Sequence, residues 1–103
     1  MRLGWDMGYW SSAPHPFLDE GTREADRLSL HSIWAAESYG SDSLTSLAWL
    51  GSRTTGPALG AACTQMAART PIAVAMAAMT TDHLPDGRFI LGLGSSGPQV
   101  VEG

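Results

Sequence analysis

Short apolar runs alternate with stretches of helical periodicity along the whole chain. That alternation constrains the fold more than any single motif. Arg2–Tyr9, His31–Glu37, Ala58–Thr64 and Arg88–Leu93 read as strands. Between them, Phe17–Ser29 carries an apolar stripe of Leu18, Gly21, Ala25 and Leu28 at helical spacing. A second helix runs from a cap at Ser41 or Asp42 to about Arg53, with Leu44, Leu47, Ala48 and Gly51 on one face. Thr70-Pro71 pairs a threonine cap with proline at the first helical position. The third helix starts there, places Ile72, Ala75, Met76 and Met79 on one face, and stops before Pro85. The order β-α-β-α-β-α-β, with short connections, predicts an α/β fold with a parallel sheet and right-handed crossovers. Functional loops of such sheets lie beyond the carboxyl ends of the strands. Here those ends are Tyr9-Trp10, Glu37-Ser38-Tyr39, Cys63-Thr64-Gln65 and Gly94–Gly97.

The stretch Gly87–Gln99, GRFILGLGSSGPQ, concentrates the chemistry. An apolar strand enters a glycine-serine turn, and Pro98 suits a helix start. The three glycines Gly92, Gly94 and Gly97 allow backbone N–H groups to approach an anion, and Ser95 and Ser96 add hydroxyls. Gly92–Gly97 is literally G-x-G-x-x-G. Three readings stay open: a dinucleotide fingerprint, a phosphate or cofactor contact in a barrel-type sheet, and a structural turn. The first needs a helix, a further strand and an acid beyond the motif, and it normally follows a first strand rather than a fourth.

Composition narrows the function. Hydrophobic residues make up 44% and charged residues 16%, a globular balance. Net charge is -4 and all six basic residues are arginine. Without lysine the chain has neither a Schiff-base lysine nor a P-loop lysine, and without a basic stripe it is not expected to bind nucleic acid. One cysteine excludes an internal disulfide. No signal peptide and no membrane span are expected, so a cytoplasmic setting is the default.

Single residues carry bland readings beside sharper ones. Glu37 ends an apolar strand, where a carboxylate is costly unless it is exposed or hydrogen-bonded. Cys63 reads as a small buried apolar residue, since no histidine or cation flanks it. His15, His31 and His83 are too scattered for a metal site, and none is expected. Trp5, Trp34 and Trp49 read as core, whereas Tyr9-Trp10 could wall a ring pocket at a strand's carboxyl end.

SIWAAESYGSD, LTSLAWLGSRT, LGAACTQMAARTP and TTDHLPDGRFILGLGSSGPQVVEG together resemble the luciferase-like monooxygenase superfamily. Within it the likeness is greatest to the bacterial branch that depends on the deazaflavin coenzyme F420. The likeness covers Arg2 to Gly103; DHLPDGRFILGLGSSGPQVVEG is its most specific piece, and ARTP before the third helix is a second. Two departures stand out: the family commonly has a bulky apolar residue where this chain has Cys63, and proline where it has Ala67. The resemblance implies a (β/α)8 TIM barrel that binds reduced F420, or alternatively FMN, at the carboxyl ends of its strands. It implies hydride transfer or oxygen activation on a small organic substrate. It places Glu37 and Ser38 at the end of the second strand as cofactor-binding residues, and Ala62-Cys63, also cofactor-binding, at a bulge with a non-proline cis peptide against the ring. Ser95, Ser96 and Gly97 fall in the loop that cradles the cofactor. No catalytic residue is implied.

A barrel of that kind takes about 250 residues, and this chain has 103. Residues 1–103 are therefore expected to form a partial barrel domain, ending after the fourth strand, with open edges and one uncovered face. Three readings follow: a fragment of an oxidoreductase, a half-barrel that assembles with a second copy or a complementing C-terminal half, or an inactive remnant. From a different class stands a non-catalytic α/β module that binds an anion at Gly94–Gly97 and assembles with a partner chain.

Overall fold

The computed structural model describes residues 1–8, 18–37 and 41–95. The expected Tyr9-Trp10 wall, Ser38, and the loop from Ser96 onward with its helix start at Pro98 lie outside these residues. Among the described residues the chain alternates as the sequence predicts. The elements in order are β1 (Gly4–Gly8), α1 (Leu18–Arg27), β2 (Ser32–Ala35), α2 (Ser43–Arg53), β3 (Ala58–Ala61), β4 (Thr64–Gln65), a 3-10 turn (Met66–Ala68), α3 (Pro71–His83), β5 (Phe89–Ile90) and β6 (Leu93–Gly94).

β1, β2, β3 and β5 form one parallel sheet in that order, and β4 and β6 form a separate parallel pair. Two sequence-predicted strands are thus each broken in two. Ala58–Thr64 is interrupted at the cis peptide Ala62-Cys63, and Arg88–Leu93 is interrupted at Leu91-Gly92. Thr64 N–H donates to the Gly92 carbonyl at 2.7 Å, which joins the two continuations.

Strand alternation sorts side chains onto two faces. Trp5, Ile33, Leu59 and Phe89 share one register line, and Met7, Ala35 and Ala61 extend the same face. This face packs on Ala25 of α1 and on Leu47 and Leu50 of α2, forming the buried core. The opposite face carries Asp6, Trp34, Gly60 and Ile90 on the next register line, with Ser32 one step before. No described helix covers it. Trp34 lies over Gly60, where even a methyl group would collide with the indole, and its Nε1–H donates to Ser32 Oγ at 2.8 Å. Asp6, awkward in a buried strand, sits on this open face and accepts from Gly8 N at 2.8 Å.

The helices start as predicted and pack differently. Asp42 caps α2 by accepting from Thr45 N at 2.8 Å, and Thr70 caps α3 by accepting from Ala73 N at 3.2 Å. α1 buries Thr22 beside Ala25, while Leu28 from the expected stripe is exposed. Thr22 tolerates burial because its hydroxyl donates to the Leu18 carbonyl. In α3 the expected stripe is overturned: Ile72, Met76 and Met79 are exposed and Val74 and Thr81 are buried. Thr81 likewise satisfies its hydroxyl on the Ala77 carbonyl at 2.7 Å.

The amino ends of the strands are tied by Arg88. All five of its N–H groups are used. They donate to the Pro85, Pro57, Gly51 and Thr54 carbonyls and to Thr54 Oγ1, at 2.8 to 3.3 Å. Two of those carbonyls end α2, where a cation opposes the helix dipole. Asp26 adds a second tie, accepting from Thr55 N and Gly56 N at 3.1 and 3.2 Å. Asp86 and Gly87 turn the chain toward β5 with φ of 60° and 80°, as the Asp-Gly punctuation predicts.

Candidate functional site at the carboxyl ends of the strands

At the other end of the sheet the backbone steps sideways. Ala36 N donates to the Gly8 carbonyl at 2.8 Å and Ala62 N to the Ala35 carbonyl at 2.7 Å. β3 then passes through the cis Ala62-Cys63 bond, at the position the resemblance implied, and resumes as β4. The fourth-strand region approaches from the side. A Cβ built on Gly92 would collide with the Ala61 carbonyl, and one built on Gly94 with Cys63 Sγ. At Gly92 only glycine allows two backbones so close; at Gly94 the neighbour is the Cys63 side chain. The result is a ledge of Ala62, Cys63, Gly94 and Ser95. Ala62, Cys63 and Ser95 are exposed, and none of the four bears a charge. Cys63 is therefore not the buried apolar residue that its flanks suggested; the corner turns its side chain outward, against Gly94.

Where the corner continues into β4 lies a polar cluster. The Glu37 carboxylate accepts from Arg69 Nη1 and Nη2 at 2.7 and 2.9 Å, from Ser43 N at 2.8 Å and from Gln65 N at 2.6 Å. Its side chain is 3% exposed and that of Arg69 is 19% exposed. Arg69 also pairs with Asp42. Gln65 Nε2 donates back to the Glu37 carbonyl at 3.1 Å, and Ser43 Oγ and Thr64 Oγ1 share a buried hydrogen bond of 2.8 Å. Burial alone would push the Glu37 carboxyl up. The Arg69 guanidinium and the N–H groups of Ser43 and Gln65 outweigh it and hold the carboxyl below its ordinary value.

The structure sets Gly94, the residue before Ser95, against Cys63 of the Ala62-Cys63 corner, and ties Glu37 to β4, which continues that corner; Ser38, Ser96 and Gly97 lie outside the described residues. Arg69 and Ser43 complete the site without having been singled out, and Gln65, already placed at a strand's carboxyl end, had been given no role of its own. No spacing rule finds them, because Arg69 stands 32 residues from Glu37 and Gln65 28 residues. For Arg69 the hint was the ARTP tetrapeptide, which carried the family likeness but no role. Among the described residues, no group of three or more His, Cys, Asp or Glu could hold a metal ion, and no helix is long and apolar enough to cross a membrane.

The helix-backed parallel sheet places the chain in a fold class, the N-terminal part of a TIM barrel. The oxygenating constituent of 3,6-diketocamphane monooxygenase from Pseudomonas putida, solved in complex with FMN, superposes with a TM-score of 0.86 at 16% identity. That match covers 99% of this chain and 32% of the other. The coenzyme F420-dependent tetrahydromethanopterin reductase of Methanopyrus kandleri superposes with a TM-score of 0.76 at 17% identity, over 99% of this chain and 30% of that one. The family model for luciferase-like monooxygenases matches residues 10–103, and the chain belongs to that family. A Mycobacterium tuberculosis protein, provisionally named a coenzyme F420-dependent oxidoreductase, is 50% identical over all 103 residues. This chain spans 30% of the length of that relative.

Proposed function

We propose that this chain supplies the first strands of a luciferase-like oxidoreductase barrel, and that its ledge takes the ring of reduced F420 or of FMN. The observation that carries the reading is the ledge itself, in a chain half identical to an F420-named relative. A flat ring needs a flat, uncharged seat that backbone can approach closely. Gly92 and Gly94 leave room that any other residue would fill, and Ala62, Cys63 and Ser95 offer a methyl, a thiol and a hydroxyl. Ser38, Ser96 and Gly97 would join them from the adjoining loops. When bound, the group supplies the hydride or activates oxygen for a small organic substrate. The chain's own part is to seat the ring, orient it and keep water from one side.

The open surfaces support the partial-barrel reading. Trp34 and Ile90 lie on an uncovered sheet face. Beside β6 an apolar hollow of about 260 Å³ lies between Val74 and Ala75 of α3 and Leu91 and Leu93. Further β/α units would cover both. The test is a fluorescence titration of the purified chain with FMN and with F420. It is run alone and again with the remaining β/α units of the Mycobacterium tuberculosis relative added as a separate chain. Saturable binding in either sample is expected; its absence from both sinks the reading.

A further inference from the structure

Each oxygen of the Glu37 carboxylate already accepts two hydrogen bonds, Oε1 from Gln65 N and Arg69 Nη1, Oε2 from Ser43 N and Arg69 Nη2. Four bonds fill the lone-pair sites of a carboxylate. With 3% of the side chain exposed, a ring lying on Ala62 and Cys63 finds no free Glu37 oxygen. The four donors come from three places: the start of α2, β4, and the residue before the α3 cap. Glu37 therefore gathers three elements at the end of β2. One of them, β4, is the continuation of the ledge. Thr64 within it bonds to Ser43 Oγ through its hydroxyl and to the Gly92 carbonyl through its N–H.

We infer that Glu37 is a positioning residue: by fixing β4 through Gln65 and Arg69 it holds the Ala62–Cys63 corner against Gly94, and so shapes the ring seat without touching the ring. The seat's occupant rests on the function proposed above. The holding of β4 does not, and it is measurable without any cofactor.

The test is amide hydrogen exchange in the full chain carrying Glu37→Gln. The readouts are Thr64 N–H, which reports the ledge, and Leu59 N–H, which donates to the Arg88 carbonyl at 2.8 Å in the middle of the sheet. Losing the charged acceptor is expected to speed exchange at Thr64 about tenfold and at Leu59 less than about twofold, since openings are local. An unchanged Thr64, or equal acceleration at both sites, overturns the inference. Should Glu37→Gln not fold, Arg69→Lys removes the fork while leaving the carboxylate for both backbone N–H groups. It is expected to raise the same ratio by a smaller factor, and no rise overturns the inference. In the sample that binds FMN or F420, Glu37→Gln is expected to weaken binding about tenfold, and equal binding by wild type and variant overturns the link from Glu37 to the seat. A wild type that binds neither removes the proposed function and leaves the exchange ratio to decide the role of Glu37.

Discussion

At the two ends of the sheet the largest ties carry opposite charge and work on opposite backbone groups, although Asp26 adds an anionic tie at the amino ends. At the amino ends a cation, Arg88, gathers carbonyls, chiefly those ending α2. At the carboxyl ends an anion, Glu37, gathers N–H groups at the start of α2 and in β4, and a second arginine closes it. Both ties use the unsatisfied groups that every helix leaves at its termini. They differ in what they leave outside. Around Arg88 every N–H ends on main chain or on Thr54. Next to the Glu37 tie, at the corner that leads into β4, stands an exposed, uncharged ledge. One end spends its polar groups on closing the fold, the other on holding a surface open.

The hardest test of this contrast is Glu37→Ala. It leaves two backbone N–H groups without their acceptor and Arg69 with Asp42 alone, in a nearly buried place, and is expected to cost about 3 kcal/mol in urea unfolding. Arg88→Met removes the cation but leaves neutral carbonyls, so about 3 kcal/mol is expected, with the ledge intact by exchange at Thr64. Should Arg88→Met loosen Thr64 as much as Leu59, the two ends are not independent. Gly92→Ala sets a methyl against the Ala61 carbonyl and is expected to cost about 2 kcal/mol, with exchange changes confined to β4 and β6. Acid is the gentlest probe. Because the folded Glu37 carboxyl lies below its ordinary value, its contribution is complete above an unfolded pKa of about 4.3 and is lost as pH falls through the lower folded value. The Arg88 cradle holds carbonyls and a hydroxyl, which do not titrate there. Exchange at Thr64 is therefore expected to rise below about pH 4 before exchange at Leu59 does, and a simultaneous rise would erase the distinction.

Much of this architecture was legible in the sequence wherever the determining signal is local. The strand–helix alternation, the Asp42 and Thr70 caps, the Asp86-Gly87 turn and the parallel order all follow from residues within a few positions of each other. The cis bond at Ala62-Cys63 came from family likeness, not from any property of alanine and cysteine. Reading failed where two local answers were equally good. α3 is apolar on most sides, so Ile72-Ala75-Met76-Met79 and Val74-Thr81 both fit a helical period, and only the sheet chooses between them. It failed again where the cause is distant. The break at Leu91-Gly92 is set by the Ala61 carbonyl, and the exposure of Cys63 by the corner beside Gly94. Glu37 offered two readings, exposed or hydrogen-bonded, and what decides for the second is Arg69, Ser43 and Gln65 arriving from elsewhere in the fold.

Trp34 sits on the face that no described helix covers, tethered through Ser32 and resting on Gly60. Indole emission shifts with the polarity of its surroundings, so this side chain is a native optical gauge of that face. In a variant with Trp5, Trp10 and Trp49 changed to phenylalanine, its colour alone would tell whether water or another layer of protein lies above the sheet.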